Sequence, residues 1–301
     1  MGANLKEVRE RINSVINTQK STHAMKLVSA SKLRRAQTAI TQLRPYSNKL
    51  DHIMENILSN TDPDANLNYS DSREAEKIVI ILITSDRGLA GAFNSNLIKK
   101  AVSLLEGKYK DQSAKGDVEI IAIGKKGADF FRKNYQQLTL VDTYEKLFDD
   151  LSYQNITRLS QVLIDRFLAE EVDRIEVVYS FFRNAAHQEA TAERYLPVVQ
   201  YADLSNYERQ DTFLADYIFE PDKDTVLQEL IPTILHTKLQ KYILDTHASE
   251  HGARMTAMDQ ATENANELLR ELRISFNKAR QEAITNEISE IVGGVAALQG
   301  G

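Results

Sequence analysis

The chain has no cysteine and no tryptophan, and only five prolines in 301 residues. Without cysteine, disulfides, thiolate metal sites, thiol nucleophiles and thiol redox switches are all excluded. Long apolar runs are missing as well. The longest, Ile78 to Ile83, is bounded by Lys77 and Thr84, far short of the ~18 residues that a membrane span needs. Met1 to Arg11 is polar and charged, which is not the pattern of a secretory signal. Gly2 starts no myristoylation site, since Lys6 stands where Ser or Thr is required. These absences point to a cytosolic or membrane-peripheral protein in a reducing compartment. What is present is an ordinary soluble balance, with 27% charged and 42% hydrophobic residues, which argues against disorder.

The net charge of −6 is unevenly spread. The first 50 residues carry ten Lys/Arg against two Asp/Glu, a net +8, and residues 225 to 301 carry seven against ten, a net −3. Residues 51 to 224 therefore hold the remaining −11. A basic arm can signal nucleic acid. Here no aromatic residue precedes Tyr46, so bases would find no stacking platform. A solvated helix face is the simpler reading.

The N-terminal segment has the period of one long helix. With Leu5 as position a, the a/d series runs Leu5, Val8, Ile12, Val15, then Gln19, Thr22, Lys26, Ser29, and resumes as Leu33, Ala36, Ile40, Leu43, Ser47, Leu50, Met54, Ile57. This 3.5-residue period keeps one stripe toward a partner helix. In the polar gap, Met25 and Val28 lie one position off the stripe. Pro45 is expected to kink the helix or to end its regular part at Arg44. A helix over residues 5–57 would span ~80 Å, too long for a compact domain to cover, so a coiled-coil partner is required.

Residues from about 225 to 298 supply one. Met258, Ala261, Ala265, Leu268 and Leu272 step by three and four, and so do Ile284, Ile288, Ile291, Val295 and Leu298 after a register shift around Phe276. Pro232 lies near the start, and Gly252 is a weak interior spot. An antiparallel pair follows if the middle of the chain returns to where it left. The second helix is 21 residues longer, ~30 Å without an intrachain partner, at one end or the other. If the overhang is the C-terminal tip, its apolar stretch Ile288 to Leu298 either folds back or meets another protein. The small Gly293, Gly294, Ala296 and Ala297 suit a tight sleeve.

Between the helices, residues 77–200 alternate strand and helix patterns. Strands are expected at Ile78–Thr84, Val118–Ile123, Leu138–Tyr144, Arg174–Phe182 and Glu189–Val199. Helices are expected after Gly91 through Leu105, from Gly124 through about Lys133, and over 154–170. This order argues a mainly parallel sheet with helices on both faces. The stretches 59–76 and 203–224 read as linkers.

Such a sheet invites a nucleotide site, but Gly88-Leu-Ala-Gly91 lacks the dinucleotide spacing and no P-loop occurs anywhere. Asp86-Arg87 could meet a ligand at the carboxyl end of the first strand, or simply form a turn. His247 and His251 share a helix face and could hold a metal, yet no third ligand is evident and the H-E-x-x-H order is absent. No Ser, His and Asp trio stands out. Asp149-Asp150 and Glu170-Glu171 read as loop and helix-end charges.

Three blocks carry a family resemblance: Asn17-Thr-Gln-Lys-Ser-Thr-His-Ala-Met-Lys-Leu-Val-Ser-Ala-Ser-Lys-Leu-Arg-Arg-Ala36, Ile83-Thr-Ser-Asp-Arg-Gly-Leu-Ala-Gly-Ala-Phe-Asn94, and Ala248-Ser-Glu-His-Gly-Ala-Arg-Met255 with Asn277 to Gly294. In the last, Ile284, Thr285, Glu287, Glu290 and Gly294 fit the C-terminal signature, and Val295 replaces the usual Ala. On these residues the chain resembles the gamma subunits of F-type ATP synthases over nearly its whole length.

The resemblance implies a central rotor shaft that couples proton-driven rotation to ATP synthesis or hydrolysis. It implies no active site, no cofactor and no homo-oligomer of its own. The implied fold is a long antiparallel coiled coil (1–58 with 215–301) plus a Rossmann-like, mainly parallel α/β foot domain (75–202). The implied partners are the alpha and beta subunits of the hexameric catalytic ring, the epsilon subunit and the c-subunit ring; nucleic acid is not among them. Met25 and Lys26 match positions facing the catalytic subunits' acidic lever loop, and Arg254, Arg280, Gln281 and Thr285 match positions meeting their inner loops. Tyr217, Phe219 and Glu220 match the foot near the proton-driven ring. The implied location is the cytoplasmic face of a bacterial membrane. Chloroplast members carry a cysteine-bearing regulatory insertion, which this chain lacks. The rival readings are a nucleotide-binding α/β enzyme and a coiled-coil scaffold.

Overall fold

The computed structural model describes residues 5–59, 69, 73–141, 144–198 and 223–299. They divide by packing into two units, Met1–Ser29 with Met255–Gly301, and Ala30–Arg254.

Two helices run through both units, α1 (Leu5–Ser59) and a C-terminal helix, Lys223–Gln299. Every residue of the a/d series from Leu5 to Met54 is buried or half-buried. Pro45 does not end α1 at Arg44. It lies inside the helix, and Ser47, Leu50 and Met54 beyond it are buried. The lost hydrogen bond and ring clash cost ~3 kcal/mol, and the packing of Leu50 and Met54 into the main core offsets that cost.

Between the helices lies one five-stranded sheet. Its strands are β1 (Ile78–Ile83), β2 (Val118–Ile123), β3 (Thr139–Val141), β4 (Arg174–Phe182) and β5 (Gln188–Leu196). The spatial order is β3-β2-β1-β4-β5, with all pairs parallel except the antiparallel β4·β5 hairpin. Three expected strands are trimmed, β1 by Thr84, β3 to Thr139–Val141 among the described residues and β5 at its end. The helices are α2 (Phe93–Ser103), α3 (Lys110–Lys115), α4 (Lys125–Asn134) and α5 (Tyr153–Leu168), so the long C-terminal helix is α6. A π-helical turn, Leu104–Lys108, follows α2.

β1 is apolar at every position because both its faces are covered. Val79, Ile81 and Ile83 face α5, the Leu50–Met54 turn of α1 and the Ile231–Ile243 stretch of α6. Ile78, Ile80 and Leu82 face Phe93, Leu97 and Ala101 of α2 and Phe131 of α4. The alternation is the period of two that a strand imposes. Gly252 has a specific cause as well. A Cβ there would lie 3.3 Å from the Ala185 backbone, so α6 is notched where the β4–β5 turn crosses it.

Candidate functional site

In the coil unit the polar gap in α1 is matched across the pair. Gln19 Nε2 donates to Asn266 Oδ1 (2.6 Å), the Thr22 and Thr262 hydroxyls share a hydrogen bond (2.8 Å), and the Lys26 ammonium pairs with Asp259. Arg9 stacks over the Phe276 ring at 5.7 Å. These contacts are antiparallel and hold one register. They also correct the expected stripe on α6. The covered positions Met258, Thr262, Ala265, Leu269, Leu272, Phe276, Ala279 and Ala283 make an unbroken 3.5-residue period with Ala261 half-buried beside it, whereas Leu268 is exposed. There is no register shift at Phe276. The apparent one arises because Ile284, Ile288, Ile291 and Val295 belong to no stripe.

By the same register Leu5 lies opposite about residue 280. Beyond it the described part of α1 offers no partner. Ile284, Ile288, Ile291, Val292 and Val295 are 47–66% exposed. The overhang is therefore at the C-terminal end, with its apolar side chains bare. Arg280, Gln281 and Thr285 stand exposed at its base, with the Thr285 hydroxyl donating to Gln281 O. Met25 is exposed, beside the solvent-facing Leu27 and Val28.

In the second unit the carboxyl end of β1, where a nucleotide would bind, is closed by the chain itself. At the N-terminus of α4, Lys125 N–H donates to Asp86 Oδ1, Lys126 N–H to Ser85 O and Gly127 N–H to Thr84 Oγ1. The amides that would cradle a phosphate are thus taken. Burial raises the Asp86 pKa, and the Lys125 amide opposes that shift. Asn94 ties Ser85 through its N–H and hydroxyl.

The remaining space is filled by α6. Arg254 donates to Arg87 O (2.9 Å) and Gly88 O, and pairs with Glu250. Its side chain is 11% exposed, so its guanidinium is largely engaged within the chain. Leu89, in the same loop, is held at φ 62° and is 64% exposed.

His247 and His251 do come together, Nε2 to Nε2 at 3.1 Å. Arg254 Nη1 lies 3.4 Å from His251 Nδ1. A guanidinium only donates, so His251 accepts at Nδ1 and carries its proton on Nε2, toward His247. Burial pulls the two pKa values down to about 4 and about 3, and both rings are neutral. A chelate would need both Nε2 atoms free of protons, against this tautomer. Among the described residues no group of three or more His, Asp or Glu could hold a metal. His247 stacks on Phe148 instead.

Sequence reasoning missed Gly252 as a packing notch and the Thr246–Ser249 contacts to β4 described below. Tyr217, Phe219 and Glu220 lie outside the described residues. No described helix is long and apolar enough to cross a membrane.

A family model described as ATP synthase matches residues 4–298. The chain is 48% identical to a protein of Flavobacterium psychrophilum named ATP synthase gamma chain, covering 99% of this chain and all of that one. It is 47% identical to the protein of that name from Cytophaga hutchinsonii, covering 98% of each. Among solved structures, a chain of the Euglena gracilis mitochondrial ATP synthase, described as its OSCP/F1/c-ring part, superposes with a TM-score of 0.65 over 98% of this chain and 94% of that one at 19% identity. A chain from the central stalk and c-ring of the Tetrahymena thermophila enzyme gives 0.56 over 80% and 98% at 20% identity. At these identities the superpositions speak for the fold.

Proposed function

The chain belongs to the ATP synthase gamma-chain family, the central stalk of that complex, and we propose that it works there as a non-catalytic shaft gripped by a ring of alpha and beta subunits. The observation that carries this reading is the bare end of α6. A helix that leaves Ile284, Ile288, Ile291, Val292 and Val295 exposed needs a surrounding surface, and the small residues Gly293 and Gly294 allow it to approach closely. A rotating shaft also has to be held without deep anchors, since hot-spot burial of several kcal/mol per residue would stall it. The exposed Arg280, Gln281 and Thr285, with the half-buried Lys26, suit many weak contacts. Met25 adds an apolar one facing the lever loop. Arg254 would meet the inner loops only through what its intrachain bonds leave free.

In this reading 1–58 and 215–301 supply the shaft helices and 75–202 the foot. The foot, with Tyr217, Phe219 and Glu220, rests on the c-subunit ring and holds epsilon, which places the chain peripherally on the cytoplasmic face of a bacterial membrane. The closed carboxyl end of β1 favours this over a nucleotide-binding enzyme. The test is co-expression with alpha, beta and epsilon subunits. One copy of the chain should purify with the ring and ATP hydrolysis should drive its rotation, while the chain alone should neither bind nor turn over ATP. Failure to enter the ring, or turnover by the chain alone, would overturn the reading. Deleting residues 289–301 should lower the yield of assembled ring more than it slows rotation.

A further inference from the structure

The face of α6 that meets the sheet changes character along its length. From Ile231 to Ile243 it is largely apolar, but Asp245, Thr246, Ser249, Glu250 and His251 are buried too. Burying polar groups costs stability unless each finds a partner, and aliphatic residues would fill the same face without that demand. The partners these residues take are therefore informative.

Pairing of β1 with β4 ends at Leu82↔Val178. Two residues further, Ser180 turns its main chain to α6. Its N–H donates to Thr246 Oγ1 (3.1 Å), and its carbonyl accepts from Ser249 Oγ (3.2 Å). Thr246 in turn donates to Tyr242 O. Arg44 bridges Phe182 O and Asp245, and Arg254 holds Arg87 O and Gly88 O. Helix α6 thus occupies the place of the next strand, at the crevice between the carboxyl ends of β1 and β4. Five of these hydrogen bonds end on main-chain atoms of β4 or of the β1 loop, which have no rotamer freedom to give way.

Apolar packing is non-directional, so a greasy helix face resists separation far better than it resists turning about its axis. Hydrogen bonds weaken steeply off their preferred angles and oppose that turning. We propose that Thr246 and Ser249, flanked by Arg254, are torque-bearing positioning residues that key α6 to the sheet so that helix and sheet turn together. The proposal rests on the shaft reading above.

The test uses the assembled membrane complex carrying Thr246→Val with Ser249→Ala, which keeps the packing and removes both hydroxyls. ATP hydrolysis by the detached, unloaded ring complex should stay at the wild-type rate. Protons pumped per ATP hydrolysed in the membrane complex should fall several-fold, and Thr246→Ser with Ser249 intact should pump as wild type. Unchanged pumping in a fully assembled double variant would overturn the proposal. So would a parallel fall of assembly, hydrolysis and pumping, which marks a folding role alone. A wild-type chain that failed to couple hydrolysis to pumping would overturn the shaft reading itself, and this proposal with it.

Discussion

The two units bury opposite things. The sheet unit wraps a strand of six apolar residues on both faces and ties several of its buried polar side chains, Thr84, Thr246 and Ser249 among them, to main-chain partners. The coil unit places polar side chains on its seam, Gln19, Thr22 and Lys26 against Asn266, Thr262 and Asp259, and leaves aliphatic side chains bare at its end. One is built to be rigid by itself, and the other to be completed from outside. A polar group inside the first is a strut; inside the second it sets register at some cost in stability.

Breaking the sheet unit should have the largest effect. Gly124 sits at φ 92° with its Cβ position 2.1 Å from Thr84 O, and neither β1 nor β2 can yield. Gly124→Val should remove at least about 4 kcal/mol, and a thermal melt should show loss of cooperative folding. Next is Arg44→Met, which strands the fully buried Asp245 carboxylate. Burial already raises the Asp245 pKa, opposed mainly by Arg44. A loss of about 3 kcal/mol is expected, read from urea unfolding, with Asp245→Asn in the same background recovering part of it.

Acid should then separate the units. The unfolded chain protonates His247 and His251 below 6.5, whereas the folded one resists until about 4 and about 3. Burial is the main cause, with the charges of Lys32 and Arg254 adding to it. The depressed folded values mean that stability is full above pH 6.5 and is lost as pH falls toward 4. The melting temperature of the sheet unit should drop across that window, and His247→Gln with His251→Gln should flatten the slope. Among the described residues the coil unit buries no histidine, and its helicity should persist further into acid.

In the coil, the proposed shaft reading predicts that Met25→Lys impairs coupling without unfolding anything, by adding a charge-assisted bond to the acidic lever loop that this reading sets against it. Protons pumped per ATP by the assembled complex are the measure, and an unchanged ratio would remove Met25 from the contact set. The smallest effect should come from Thr22→Val with Thr262→Val. Replacing both partners of a neutral hydrogen bond is close to neutral or stabilising by up to about 1 kcal/mol. Thr246→Val, which orphans a main-chain N–H in the sheet unit, should destabilise by about 1–3 kcal/mol. Equal responses at the two sites would erase the contrast between the units.

Much of the fold was legible because its periods are strict. The seam of α1 is readable residue by residue from Leu5 to Met54, and β1, β2 and β4 follow from their apolar runs. Pro45 misleads because local propensity cannot weigh the tertiary packing of Leu50 and Met54. On α6, Leu268 looked like a seam residue because hydrophobicity alone cannot distinguish it from Leu269. Only the position of Thr22 on the partner decides it. The exposed tip was anticipated as an alternative, and its end of the chain required the register. The keyed contact of Thr246 and Ser249 with Ser180 was invisible, since two hydroxyl residues on a helix carry no signal until the strand they meet is known.

The seam of the coil joins residues some 240 positions apart, as in Thr22 and Thr262. At a synthesis rate of 5–20 residues per second, α1 leaves the ribosome about 10 to 50 s before its partner exists. A helix with an unbroken aliphatic stripe would spend that interval seeking any other apolar surface, including a second nascent copy of itself. Gln19, Thr22, Lys26 and Ser29 interrupt the stripe for two heptads. The same residues that set register in the finished coil keep the early helix from choosing a wrong companion while it waits.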